Sequence, residues 1–297
     1  MQAFDCIAIG SLPHTDVEKA MELVKSNFSA IPFWPQLPKL NENENILAQF
    51  TEGMHTDAQN YAITYAAAFE PFIELVKETK PAYAKGQIVG PFTLAAALTG
   101  KDVAIIVKTL ALKAIWQIKK IKEASPQTTP IIFIDEPSIS RLDTPADIKE
   151  MLSEVSDVIQ NNGGLSGFHC CGNFDWSMPI SVGVDIISFD AYSYAHELSL
   201  FSKDVEKFLA SGGKIAWGVV PTFDIALLQT ANLDKMLEVF EQAVNYLTKK
   251  GIDEKMILDN SLITSSCGTG ALSEELAQHA VELTRELSER LKNTTSP

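Results

Sequence analysis

The sequence predicts an α/β protein, a single (β/α)8 barrel domain over residues 1–297. Short apolar runs alternate with longer helical patterns from one end of the chain to the other, which favours a parallel sheet. Eight such runs are present, and eight strand–helix units close into a barrel. The first run is followed by Gly10-Ser11-Leu12-Pro13-His14, which lacks the Gly-x-Gly-x-x-Gly pattern of the alternative, an open doubly wound sheet.

Each predicted strand is short and apolar and is bounded by Gly, Pro, Asp or Asn, as expected of strands buried on both faces. In chain order the predicted strands are Phe4–Ile9, Ala30–Trp34, Ala84–Val89, Ile131–Ile134, Leu165–His169, Ile186–Phe189, Lys214–Gly218 and Met256–Leu262.

The segments between these strands carry apolar residues at helical spacing. Thr144-Pro145-Ala146-Asp147 has the pattern of an N-cap followed by proline at the first helical position, and Gly163-Gly164 has that of a helix stop. The predicted helices are Asp16–Ser26, Asp57–Thr79, Val103–Glu123, a helix from the Thr144 motif to about Asn161, Leu233–Lys250 and Ser273–Lys292.

The composition excludes several classes of partner. A net charge of −14 argues against binding to nucleic acid or to an anionic membrane surface, since both demand a basic patch. The N-terminus lacks the basic start and apolar run of a signal peptide, and no apolar stretch is long enough to span a bilayer. We therefore expect a cytoplasmic protein, in which the four cysteines stay reduced and are candidates for metal binding or catalysis.

In a barrel of this class, the active site lies at the carboxyl ends of the strands. His169 and Cys171 fall at the end of the fifth predicted strand and face the same side, because side chains alternate along a strand. Cys170 faces the other side, and Cys267 follows the eighth strand. One imidazole and two thiolates would make most of a tetrahedral zinc site. The alternative is coincidence, with buried cysteines acting as small apolar residues.

Thiolate ligands favour one kind of zinc chemistry over another. Zinc can hold a substrate thiol as a nucleophilic thiolate, ready to attack a methyl group, whereas hydrolytic zinc sites more often use His and carboxylate ligands. Asp135 and Asp190, each at a strand end, are candidate catalytic acids, and Asp135 can also pair with a substrate ammonium group. Ser11 and the loop around it can bind a carboxylate.

Together these motifs resemble the catalytic barrel of cobalamin-independent methionine synthase. That family belongs to the wider superfamily that includes uroporphyrinogen decarboxylase and the corrinoid:coenzyme M methyltransferases. The resemblance runs from Ile9-Gly10-Ser11 through Ile134-Asp135-Glu136-Pro137 and His169-Cys170-Cys171 to Cys267-Gly268. It spans nearly the whole chain, with each motif at its strand end.

The resemblance implies a role for individual residues. His169, Cys171 and Cys267 match the family's zinc ligands. The segment Ile187-Ser188-Phe189-Asp190 stands where the family has a glutamate ligand, so Asp190 is a candidate fourth ligand, one methylene shorter. In the same alignment Ser11 matches the residue that binds the carboxylate of homocysteine, while Asp135 and Glu52 match contacts to its amino group.

This chain is a single barrel, whereas the full methionine synthase carries a second, N-terminal barrel that helps to bind a polyglutamylated folate. The resemblance therefore implies a methylated corrinoid, methylcobalamin or a corrinoid protein, as the methyl donor and co-substrate, with homocysteine as acceptor. Three alternatives stay open: methyl transfer to another thiol such as coenzyme M, a uroporphyrinogen decarboxylase-like protein, and a non-enzymatic corrinoid- or metal-binding protein. Porphyrinogen carboxylates call for arginines near the first strand, but the first arginine is Arg141.

Overall fold

The computed structural model describes residues 1–51, 54, 61–140, 142 and 147–295. Within them, six parallel strands form one sheet in the order β1 to β6, curled into a half-barrel. The strands are β1 Tyr83–Val89, β2 Thr129–Asp135, β3 Leu165–Cys170, β4 Ile186–Phe189, β5 Lys214–Val220 and β6 Ser261–Ser265. Because every neighbouring pair is parallel, all six carboxyl ends lie at one edge of the sheet.

Helices connect the strands and cover one face of the sheet. They are α1 Val17–Asn27, α2 Ile46–Thr51, α3 Phe69–Thr79, α4 Pro91–Ala97, α5 Val103–Ala124, α6 Ile148–Asn161, α7 Ser177–Val182, α8 Ala191–Leu198, α9 Ser202–Ala210, α10 Ile225–Thr230, α11 Leu233–Thr248, α12 Glu254–Asp259 and α13 Glu274–Thr295. Side-chain caps begin several of them, because an Asp or Asn oxygen accepts hydrogen bonds from otherwise unpaired first-turn N–H groups. Asp16 caps α1, Asp102 caps α5 and Asn232 caps α11. Among the described helices, none is both long and apolar enough to cross a membrane.

The apolar side chains of the sheet divide into two clusters. A large cluster packs between the strands and the helices. A smaller cluster contains no helical residue, so it fills the concave face of the sheet; its buried members are Ile7, Ile9, Ile31, Ile131, Phe133, Ile186, Ala216 and Leu262. The small cluster forms an apolar floor below the carboxyl ends of the strands.

The first two predicted strands, Phe4–Ile9 and Ala30–Trp34, differ from the prediction. Each meets an edge of the sheet through a single parallel bridge, Cys6 to Ile263 of β6 and Phe33 to Lys85 of β1. A third bridge joins Ser11 to Gln36. The second segment contains Pro32 and is followed by Pro35, and both lack the N–H group that a regular ladder needs. The barrel prediction is therefore confirmed for six parallel strands and not for eight.

Two further predicted elements differ. The predicted strand Met256–Leu262 is divided between α12 and β6, because Asp253 accepts a hydrogen bond from the Met256 N–H at 2.8 Å and caps a helix there. The predicted helix Asp57–Thr79 begins only at Phe69, and residues 61–68 are not helical. Its start at 57–60 and the Thr144-Pro145-Ala146 motif lie outside the described residues.

Candidate metal centre

Three side chains from two distant strands meet at the carboxyl edge of the sheet. His169 is the penultimate residue of β3, Cys171 follows that strand directly, and Cys267 lies two residues after β6. One ligand atom from each residue lies within 4.8 Å of the other two, so a single ion can contact all three. β4 and β5 separate the two strands in the sheet, and the curl of the sheet brings their ends together.

Strand alternation decides which of the two adjacent cysteines reaches this centre. Cys171 lines the cavity described below, whereas Cys170 is fully buried in the cluster between sheet and helices. Burial raises the pKa of the Cys170 thiol to about 12, so it stays a neutral, apolar side chain. The prediction that the two cysteines face opposite sides is confirmed.

The imidazole of His169 is held in one orientation by its neighbour on β4. Its Nδ1 lies 3.1 Å from Ser188 Oγ, and the strand register places these two residues directly opposite each other. Its Nε2 is buried and has no hydrogen-bond partner among the described residues. A buried polar atom without a partner is costly, and a metal ion would satisfy it. The Nδ1 contact therefore leaves Nε2 as the free ligand atom.

The thiols of Cys171 and Cys267 shift each other's pKa in opposite directions. A hydrogen bond from Cys267 lowers the pKa of Cys171 to about 4, with a further contribution from His169. The same hydrogen bond, together with burial, raises the pKa of Cys267. Proton loss is therefore easier at Cys171 than at Cys267, and a divalent cation would stabilise a second thiolate by displacing the proton of Cys267.

A cavity of about 400 Å³ opens onto these three side chains. Its wall also includes Ser11, Gln36, Lys39 and Asp135, so the cavity offers hydrogen-bond donors, acceptors and both signs of charge. The volume lies within the range of small-molecule sites. The cavity is therefore suited to a small polar ligand whose end reaches the metal ligands.

Asp135 ends β2 and is paired in register with His169. Its Oδ1 is buried and has no hydrogen-bond partner in the described part of the chain. Burial raises the pKa of Asp135 to about 6, and the positive charge of Lys85 opposes this rise. The Lys85 ammonium group is itself fully buried, 2.6 Å from the Ile9 carbonyl oxygen, which accepts its hydrogen bond. Asp135 thus presents an unused acceptor to the site.

Ser11 is fitted against the loop that follows β6. Its Oγ accepts a hydrogen bond from the Gly270 N–H at 3.3 Å, which leaves the hydroxyl hydrogen free to donate. A Cβ on Gly268 would lie 2.2 Å from Ser11 Oγ, and one on Gly270 would lie 2.9 Å from the Ser11 Cβ. Glycine at both positions is therefore what allows this close approach.

Asp190, the fourth predicted ligand, lies near the centre but outside the ligand group. Asp190 is not a member of the group whose ligand atoms can share one ion; its Oδ1 accepts a hydrogen bond from the Ser193 N–H at 3.0 Å and caps α8. Burial raises the pKa of Asp190, and its charge interacts with those of Cys171 and His169. The shorter Asp side chain is used locally, at the helix start. Glu52 lies outside the described residues.

Three residues to which the sequence analysis gave no role belong to the site or its support: Ser188, Gln36 and Lys85. Ser188 alternates with buried Ile187 on β4, which indicates that it faces the opposite side of the sheet. Its position opposite His169 depends on strand register, which no pattern within one strand reports.

No protein-family model matches this chain, and no curated protein matches it. Several solved structures are similar to this chain in fold. A methyltransferase from Methanosarcina mazei has a TM-score of 0.58 at 14% identity, over 96% of this chain and 94% of that one. A B12-independent methionine synthase from Shewanella sp. W3-18-1 has a TM-score of 0.51 at 15% identity, over 75% of this chain and 67% of that one. At these identities the similarity shows a common fold.

Proposed function

We propose that this protein is a zinc-dependent methyltransferase that transfers a methyl group from a methylated corrinoid to homocysteine, giving methionine. The observation that carries the proposal is the group formed by His169, Cys171 and Cys267, whose ligand atoms lie within 4.8 Å of one another beside a small cavity with several polar residues in its wall. The fold shared with two methyl-transferring proteins is consistent with it.

The donor set suits zinc better than other common ions. One imidazole nitrogen and two sulfurs are typical zinc ligands, whereas calcium and magnesium prefer oxygen. Three protein ligands would leave a fourth, open position toward the cavity. When bound there, zinc supplies Lewis acidity that keeps a substrate thiol deprotonated and nucleophilic at neutral pH.

The residues of the cavity wall would bind and orient the acceptor. We propose that the unused Oδ1 of Asp135 accepts a hydrogen bond from the substrate ammonium group, and that the free hydroxyl hydrogen of Ser11 is donated to its carboxylate. Asp190 would act from outside the ligand group, where its negative charge interacts with His169 and Cys171 and favours a bound cation.

The reaction balances without an oxidant or reductant. A sulfur lone pair of the acceptor forms the new carbon–sulfur bond, and the electron pair of the cobalt–carbon bond stays on the corrinoid. The thiol proton is released to solvent. The corrinoid is thus a second substrate, brought free or on a partner protein, and the proposed chemistry needs the reduced thiols of the cytoplasm.

The test combines metal analysis with a demethylation assay. Purified protein should contain about one zinc per chain. The zinc-loaded protein should demethylate methylcobalamin only when homocysteine is added, and methionine should appear in equal amount. Coenzyme M in place of homocysteine tests the alternative acceptor. Zinc binding without methyl transfer to either thiol would contradict the proposed activity while leaving the metal site intact.

A further inference from the structure

Gln36 is a cavity residue with no assigned role. Its backbone is fixed beside Ser11, because the Gln36 N–H donates to the Gly10 carbonyl oxygen at 3.1 Å and the Leu12 N–H donates to the Gln36 carbonyl oxygen at 2.9 Å. Only 4% of Gln36 is exposed, and that residue lines the cavity together with Ser11 and Asp135. Gln36 is therefore held at the wall where a ligand of the metal centre would lie.

A chain of buried hydrogen bonds fixes which end of the Gln36 amide faces its neighbours. The Tyr65 carbonyl oxygen can only accept, so fully buried Gln49 must turn its Nε2 toward it. Gln49 Oε1 then faces Gln36 and accepts a hydrogen bond from Gln36 Nε2 at 2.6 Å. The orientation of both amides thus follows from a backbone atom that has no alternative role.

One atom of Gln36 remains unused. With Nε2 turned to Gln49, the Oε1 of Gln36 is left as an acceptor, and no described residue donates a hydrogen bond to it. Asp135 Oδ1, in the wall of the same cavity, also lacks a donor. Two acceptors without donors at one cavity indicate a ligand that brings several N–H groups, as a primary ammonium group does.

We propose that Gln36 is a specificity-determining residue that selects acceptor thiols carrying a primary ammonium group, and that Gln49 positions it. This inference rests on the proposed function, because it assumes that the metal holds the sulfur of the acceptor. A thiol whose only other polar group is a carboxylate or sulfonate offers the Gln36 oxygen no donor. Reversal of the amide would turn its NH2 group toward the cavity and repel an ammonium group.

The test compares two ligands that differ only in the amine, homocysteine and 4-sulfanylbutanoate, by calorimetric titration of the zinc-loaded full chain. Wild type should bind the amino thiol more tightly. Gln36→Leu and Gln49→Leu should each reduce this preference about tenfold, the factor lost with one hydrogen bond to a charged group. Zinc content and the binding of 4-sulfanylbutanoate should change little.

A conservative variant of Gln49 shows whether this residue acts by orienting the Gln36 amide or only by packing beside it. In Gln49→Glu, a buried carboxyl group that is protonated can donate to Tyr65 and accept from Gln36, so most of the preference should return. Gln242→Leu removes an exposed amide that bonds to the Tyr246 hydroxyl at 2.9 Å and does not line the cavity, so it is the matched control. Gln36→Leu decides the question if Gln49→Leu fails to fold.

The inference is overturned if wild type binds the two thiols equally or binds neither, or if Gln36→Leu keeps the wild-type preference. The proposed function fails in a different way, through the absence of methyl transfer from methylcobalamin. The binding preference can be measured in that case too, so the two failures are distinguishable.

Discussion

Two regions of this molecule meet between residues 170 and 171. Cys170 lies in the dry cluster between sheet and helices, and burial raises the pKa of its thiol to about 12. Cys171 lines the cavity, where a hydrogen bond from Cys267 lowers the pKa of its thiol to about 4. Adjacent residues of the same type thus have opposite properties, which shows that the face of the strand, and not the residue type, decides the chemistry.

The largest expected effect comes from removing the sulfur of Cys267, a member of the ligand group, and not that of Cys170 in the apolar cluster. Cys267→Ser should lose most bound zinc and most methyl transfer, because a hydroxyl is a poor substitute for a thiolate ligand. Cys170→Ser should keep its zinc and lose only some stability, since it places a hydroxyl in an apolar site. Zinc content per chain, measured by elemental analysis, checks both variants, and equal zinc loss in the two would contradict the comparison.

Reactivity toward alkylation should separate the same two regions. After zinc is removed by chelation, iodoacetamide at pH 7 should modify Cys171 first, because the thiolate is the reactive form. Modification of Cys170 in the folded protein should be slower by about three orders of magnitude or more, since its thiol remains protonated and buried. Peptide mass spectrometry over a time course reports each site, with zinc-loaded protein as the protected control.

Two adjacent acids at the end of β2 differ in the same way as the two cysteines. Asp135 faces the cavity, and Glu136 faces away from it. Glu136 is fully buried and accepts hydrogen bonds from the Phe92 and Thr93 N–H groups at 2.9 and 2.8 Å. Burial still raises its pKa from 4.5 to about 7. The folded state therefore binds the proton more tightly than the unfolded state does.

The sign of the pH effect follows from this. The contribution of Glu136 to the free energy of unfolding should be fully present below pH 4.5 and be lost as the pH rises to about 7, by at most about 3 kcal/mol. Glu136→Gln should lack this component of the pH dependence. Urea unfolding between pH 4 and 8 measures it, and identical pH profiles of the two proteins would rule it out.

The smallest of these effects concerns Ser188, which orients the proposed metal ligand His169. Ser188→Ala removes the contact to His169 Nδ1 and should weaken zinc binding by roughly ten- to hundredfold, as expected for a residue that orients a metal-bound imidazole. Ser188→Thr keeps a hydroxyl and should retain most of the affinity. Competition with a chelator of known affinity gives the ratio. An unchanged affinity in Ser188→Ala would mean that His169 is oriented by other contacts.

Much of the fold could be predicted because buried parallel strands leave a local pattern. The five strands from β1 to β5 were predicted within two residues at either end. The sixth was misplaced because Met256-Ile257-Leu258 is an apolar run, and such a run fits a helix or a strand. The N-cap Asp253 was the available evidence for a helix start. The first two segments form only bridges; in the second, Pro32 and the following Pro35 lack the N–H groups that a regular ladder needs.

The ligand group could be predicted for the same reason, since alternation places His169 and Cys171 on one face, and the fold class places strand ends together. The roles of Ser188 and Gln36 could not. Ser188 meets His169 only through the register between β3 and β4, and Gln36 depends on Gln49 and Tyr65, which are distant in sequence. Such contacts are set by three-dimensional packing and leave no pattern within one segment.

X-ray absorption at the zinc edge of the purified full-length protein tests the central claim most directly, since it counts the atoms around the metal. Two sulfurs at about 2.3 Å, together with nitrogen or oxygen at about 2.0 Å, are expected for His169, Cys171 and Cys267 with an open position. Cys267→Ser should reduce the sulfur count to one in whatever zinc it retains. A coordination shell of nitrogen and oxygen alone in the wild type would contradict the proposed centre.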